Sequence, residues 1–420
     1  MLERQGENWR RVTIHIRTRL VVPVLLVGLA GGLAGAAYLA VLHGLQDVFG
    51  PGGHGVWVQG LVLVGAGAIV TLGTRALGPT GNVELLVDNI HISGSAEGLR
   101  ETRSMVPQSL VCVAAGGTLG PEAPLVQITG TIGSWWADRR AIDRDATRIL
   151  TITGMAAGFT VLFGAPLGGA LFALEILHRR GLQYYEAIMP ALLGSLAGYA
   201  VAAVLLRAGL EPVWHFPPAG AIASTDLAWA VAAGVAGAIA AWIFGRLVEA
   251  GRLVYGFVPP TLRPVVGGLT LAVLAAGSPY VLTNGEEQIN EVLAAKLTVA
   301  ALLVAIAAKL AGTIVTMVAG WKGGFIIPLF FLGAASGELL HALVPSTNES
   351  VIAVCLMVSF CVGVTKTPLG STMVVTEMAG IALLPTTIVA AVVTLFLSER
   401  VHVIETQRDR SHDAEETSPP

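Results

Sequence analysis

The sequence predicts an all-α, polytopic membrane protein built from two related halves, and three observations carry that reading. Of its 420 residues, 54% are hydrophobic and only 13% charged, where an ordinary soluble domain carries about a quarter charged residues. Too little polar surface remains to face water. Residues 20–46, 149–174 and 227–244 contain no Asp, Glu, Lys or Arg, and each is long enough to cross a bilayer as a helix. The third observation is a pattern of glycine and proline punctuation that occurs twice.

The first copy reads Gly-x3-Pro from Gly120 to Pro124, then Pro-Leu-Gly-x6-Glu from Pro166 to Glu175. The second reads Gly-x3-Pro from Gly324 to Pro328, then Pro-Leu-Gly-x6-Glu from Pro368 to Glu377. Pro124 and Pro328 are 204 residues apart, while Pro166 and Pro368, and Glu175 and Glu377, are both 202 apart. Two ordered motifs holding one offset to within two residues indicate a duplication. Pattern alone leaves open whether the halves are parallel or inverted. In membrane transporters such repeats commonly place substrate at their interface, near the midplane.

The chain divides accordingly. Residues 1–19 carry Arg4, Arg10, Arg11, Arg17 and Arg19 ahead of the first apolar run, which predicts a cytoplasmic N-terminal segment by the positive-inside bias. That run continues from Leu20 to about Leu42, too long for a signal-peptide core. Residues 20–210 form the first membrane repeat, 211–224 a proline-rich inter-repeat loop, and 225–398 the second repeat. Residues 399–420 hold six acids and three arginines and read as a polar, disordered tail. Cys112, Cys355 and Cys361 lie in apolar stretches and read as buried thiols.

Glu122 is the only charged residue between 104 and 137. A carboxylate at membrane depth costs several kcal/mol unless protonated or paired, so it is a functional candidate. Pro121 and Pro124 suit the first turn of a helix running on to Trp136, which puts Glu122 and Ala123 at its amino terminus, just after Gly120. Helix starts present unpaired amides and a positive dipole end, and hold anions without Arg or Lys. A glutamate there can occupy such a site, then yield it. The plainer reading is that Glu122 caps its own helix.

The matching helix start is Gly323-Gly324-Phe325-Ile326-Ile327-Pro328, with Ile326 at the glutamate position. The predicted site is therefore asymmetric, one half supplying amides with a carboxylate and the other amides with an apolar wall. Thr80, Gly81 and Asn82 form a further candidate, since a hydroxyl and two amides can donate to a dehydrated anion; alone they read as a turn and cap. Glu175 and Glu377 are each the single charge in an apolar window and are equivalent under the repeat. They are expected to brace structure or line a vestibule, and Lys309 and Lys322 to attract anions or snorkel to an interface.

These motifs resemble the CLC family of chloride channels and anion/proton antiporters over roughly residues 20–398. Gly120-Pro121-Glu122-Ala123-Pro124, followed by Val126-Gln127-Ile128-Thr129-Gly130, is similar to that family's Gly-Arg-Glu-Gly-Pro helix with its gating glutamate. Gly164 through Glu175 resembles the next family signature, and Gly323 to Pro328 the Gly-Gly-x-Phe-x-Pro filter segment. The resemblance implies two inverted repeats of tilted and broken transmembrane helices, a homodimer with one pore per subunit, and Glu122 as the gate. Thr80 falls where the family filter carries serine, and Gly324, Phe325, Ile326 and Ile327 supply the opposing helix start.

Two departures weaken the implied proton coupling. The acid that family antiporters carry after the Glu175 position is replaced by Ile176, and the pore tyrosine of the last helices is missing, since the final tyrosine is Tyr280. Gly81-Asn82 and the run from Lys322 to Phe331 are reminiscent of the fluoride-exporting branch. That branch, however, commonly has a methionine near Thr80 and acid and threonine residues where Phe325 to Ile327 stand.

The expectation is chloride transport through a pore gated by Glu122 with weak or no proton coupling, the alternative being fluoride/proton antiport. The bilayer, chloride or another small anion, and protons are the expected partners; no cofactor, metal or nucleic acid is expected. A Walker A loop, a nucleophile elbow, metal-spaced His/Cys clusters and paired catalytic carboxylates are all missing, which argues against an enzyme. A cation pathway would want facing carboxylates, against Ile326 opposite Glu122. A non-transporting membrane scaffold would tolerate loss of Glu122.

Overall fold

A computed structural model describes residues 2–78, 83–96, 99–206 and 213–409. Thr80, Gly81 and Asn82, the repeat boundary at 210–212 and the tail beyond 409 lie outside the described residues. The first half contains α1 (Leu2–Phe49), α2 (Val56–Leu77), α3 (Val83–Ser93), α4 (Leu99–Ala114), α5 (Glu122–Arg139), α6 (Arg144–Phe163), α7 (Pro166–Glu175) and α8 (Ile188–Leu205). The second contains α9 (Ser224–Gly256), α10 (Arg263–Gly277), α11 (Glu286–Ala295), α12 (Val299–Val318), α13 (Ile326–Leu343), α14 (Glu349–Thr365), α15 (Pro368–Ala379) and α16 (Leu384–Leu397). The described residues contain no strand, only one antiparallel bridge between Gly120 and Gly324.

Among the described residues, seven helices are long and apolar enough to cross a membrane. Most expose an apolar face, as Leu196, Val204 and Trp242 do, the pattern of segments solvated by lipid. Two helices instead form the interior: α6 and α14 occupy equivalent places in the repeat and are buried over nearly their whole length. Small residues bring their neighbours close. A Cβ at Gly154 of α6 would collide with the Thr129 carbonyl of α5, the close backbone approach by which membrane helices gain packing energy.

The chain is interrupted where the punctuation predicts. α6 ends at Gly164 in the left-handed conformation, and α7 restarts at Pro166; α14 ends at Lys366, also left-handed, and α15 restarts at Pro368. Proline lacks the amide that a helix start leaves unpaired, which suits it to the first position. α7 packs against α15, so the two Pro-Leu-Gly helices meet across the repeats.

The segment after α16 departs from the sequence expectation. Residues 399–409, read as part of a polar tail, are packed against the rest of the fold: Val403, Ile404 and Gln407 are buried. Its charges find partners in distant elements, Glu399 with Arg180, Glu405 with Arg252, and Arg408 with Asp88.

Candidate functional site

The loops before α5 and α13 run side by side. The Gly120 amide donates to the Gly324 carbonyl at 2.8 Å, and the Gly324 amide donates back to Gly120 at 2.7 Å. This two-residue bridge sets the amino termini of two helices from different halves against one another. Neither start is capped by its own preceding side chain, since Pro121 and Phe325 stand at the cap positions.

Glu122 fills the gap between them. Its side chain is 1% exposed, and Oε1 accepts the Ile327 amide of α13 at 2.7 Å. The glutamate thus caps the opposite helix. Its Oε2 is buried without a hydrogen-bond partner among the described residues. Glycine is needed on both sides of this carboxylate: a Cβ at Gly324 would lie 2.5 Å from Oε2, and one at Gly120 would also strike it.

A cavity of about 20 Å³ adjoins the carboxylate, enough for one water-sized occupant. Glu122, Ala123, Val126, Phe159, Ile176, Gly324, Phe325, Ile326 and Thr365 contribute to its wall. All but Glu122 and Thr365 present carbon or backbone. A carboxylate on helix-start amides beside a small apolar cavity can exchange places with a small anion, because the same amides and dipole favour either.

The remaining candidates lie elsewhere. Glu175 is fully buried and its Oε2 accepts the Gly370 amide of α15 at 2.8 Å. Glu377 reciprocates, with Oε1 and Oε2 accepting the Leu167 and Gly168 amides of α7 at 3.2 and 2.8 Å. Lys309 is buried and donates to the Leu282 and Thr283 carbonyls and to Gln288 Oε1 at 2.9, 3.0 and 2.7 Å. Lys322 is half-buried beside the second helix start, its amide 3.2 Å from Cys112 Sγ.

Sequence reading missed Thr365 and Phe159 as cavity walls. Thr365 ends α14 just before the second Pro-Leu-Gly motif, and its hydroxyl meets Thr367, which meets Ser371, each at 2.7 Å. That run of hydroxyls beside a duplicated motif was the available signal.

A polytopic helical protein whose two broken helices meet start to start around one buried acid belongs to the class of anion-handling membrane transporters. A family model described as "Voltage gated chloride channel" matches residues 87–399, and the chain belongs to this family, the CLC channels and transporters. The chain is 28% identical over 404 residues to a protein of Pseudomonas syringae pv. tomato named chloride/fluoride channel protein, an alignment covering 91% of this chain and 85% of the relative. It is 29% identical over 382 residues to a ClcB-like protein of Ralstonia nicotianae, covering 84% and 87%.

Solved structures share the fold. A CLC-type fluoride/proton antiporter superposes with a TM-score of 0.81 at 22% identity, covering 93% of this chain and 98% of the other. A slow cyanobacterial chloride/proton antiporter gives 0.79 at 18% identity, covering 91% and 94%. The fold class expected from sequence, inverted repeats of tilted and broken helices, is the observed one. The family transports anions and is not a family of enzymes.

Proposed function

We propose that this chain carries chloride through the cavity beside Glu122, with that side chain as the gate and with weak or no proton coupling. The observation that carries the reading is the bond from the Ile327 amide to Glu122 Oε1. A helix start from one half, suited to an anion, is held by a carboxylate from the other. Swinging the side chain away, or protonating it, frees the amides of α13 for a dehydrated chloride. Ile326, Phe325 and Val126 line the cavity with carbon, which favours a weakly hydrated ion, and Ile326 opposite Glu122 supplies no second carboxylate for a cation.

Weak coupling is read from Ile176, an apolar wall residue at the position of the second acid in family antiporters. Fluoride export is the second reading, favoured by the small cavity and by a relative named for both halides. We further propose a cytoplasmic N-terminus, from the arginines before α1, and a homodimer with one pore per subunit in the cell membrane.

Purified protein in liposomes is expected to release chloride, and Glu122→Gln to change the rate by about fivefold or more or to flatten its pH dependence. Absence of anion release from monodisperse protein would overturn the proposal. Parallel chloride and fluoride release from the same vesicles decides the anion, and simultaneous proton recording decides coupling.

A further inference from the structure

The segment after α16 touches the site through one side chain. Gln407 is 2% exposed, and its amide nitrogen donates to the Ile176 carbonyl at 2.8 Å and the Thr365 carbonyl at 2.7 Å. Both acceptors sit at helix ends, Ile176 just past α7 and Thr365 as the last residue of α14. Carbonyls at a helix end have no partner within the helix. Their side chains both line the cavity beside Glu122. One amide thus ties a wall residue of the first half to a wall residue of the second.

Gln407 is itself anchored from outside. Arg179 Nε donates to its carbonyl at 2.6 Å, and the Arg408 amide reaches the Leu177 carbonyl at 3.4 Å. Arg408 pairs with Asp88 at 2.5 Å, and Arg252 bridges Glu405 at 2.9 Å and Glu84 at 3.5 Å. At the near end of the segment, the buried Lys366 ammonium donates to the carbonyl and hydroxyl of Ser398 at 2.5 and 2.8 Å.

We infer that residues 398–409 form a strap that fixes the width of the anion cavity, with Gln407 as the positioning residue that holds Ile176 and Thr365 together. This rests on the cavity being the anion path. The amide chemistry is specific: glutamine brings two N–H donors to two carbonyls, whereas glutamate at the same length brings only acceptors and is repelled by both. Releasing the walls lets the cavity widen, so discrimination between chloride and a larger anion falls.

The test compares chloride and nitrate release from liposomes for the full chain and for Gln407→Glu. The expected result is a change of about threefold or more in the chloride-to-nitrate ratio, with protein still monodisperse. Should Gln407→Glu not fold, Arg408→Ala, which removes an anchor on the partly exposed face, is expected to shift the ratio in the same direction. Exchanging the charges in an Asp88→Arg, Arg408→Asp double variant restores it. An unchanged ratio in folded variants overturns the inference.

A readout without transport separates this from failure of the chloride reading. Hydrogen exchange across residues 176–180 and 365–368 is expected to quicken in the variants whether or not the protein releases chloride. Unchanged exchange sinks the strap alone; quickened exchange with no anion release from the unmodified protein sinks the transport reading and leaves the strap standing.

Discussion

The two halves of this protein meet at two duplicated points, and the same device is used differently at each. At the Pro-Leu-Gly pair both motifs keep their acid, Glu175 capping α15 and Glu377 capping α7. At the Gly-x3-Pro pair only one acid survives, Glu122 capping α13 while Ile326 stands at the equivalent place on the other side. A carboxylate on helix-start amides stabilises by roughly 0.5–2 kcal/mol, and reciprocity makes it a brace. With one partner missing, the amides are held by a single displaceable group. Under the proposed function, loss of symmetry is what turns a brace into a gate.

Restoring the symmetry should therefore slow transport strongly. Ile326 is 5% exposed and lines the cavity beside Glu122, so Ile326→Glu puts a second carboxylate within the same apolar space. Like charges there disfavour both each other and an incoming anion, and chloride release is expected to fall about tenfold or more, the equivalent of about 1.4 kcal/mol. Ile326→Gln, similar in size and uncharged, should retain much more activity. Equal losses in the two variants would attribute the effect to packing and break the comparison.

How much of this was legible in the sequence follows the same division. Glu122, Ile326, Glu175 and Glu377 were all singled out by repeated punctuation and by isolated charge in apolar windows, because local chemistry alone makes a lone acid in a membrane conspicuous. Which helix each acid caps was not legible, since α5 meets α13 and α7 meets α15 only once the halves fold together. The 399–409 stretch was misread for a related reason. Its acids and arginines look like solvated charge, and their partners Arg180, Arg252 and Asp88 lie in other elements. Gln407 carries no signal of its own.

The brace itself is tested next. Glu377→Gln keeps the side chain's shape but turns an N–H group towards the Leu167 or Gly168 amide, and at this partly exposed site the lost bond costs about 1 kcal/mol. Thermal unfolding in detergent should show that loss for Glu377→Gln, with chloride release changed by less than about threefold. Glu122→Gln should show the opposite pattern, a large change in flux with little loss of stability. If Glu377→Gln instead alters flux as strongly as Glu122→Gln does, the two meeting points do not differ in kind.

The smallest effect concerns the link between the two points. Thr365 lines the Glu122 cavity, and hydroxyl contacts run through Thr367 to Ser371, which follows the Gly370 amide held by Glu175. If the points act independently, this chain is a packing feature. Thr367→Val, which removes the middle hydroxyl and keeps the shape, should then cost about 1 kcal/mol in thermal unfolding, the net worth of a buried hydrogen bond. Chloride release should stay within about twofold, and the stability effects of Thr367→Val and Glu122→Gln should add to within about 0.5 kcal/mol in a double-mutant cycle. A larger coupling would mean that the gate senses the brace through these hydroxyls, and the division between them would have to be redrawn as one connected network.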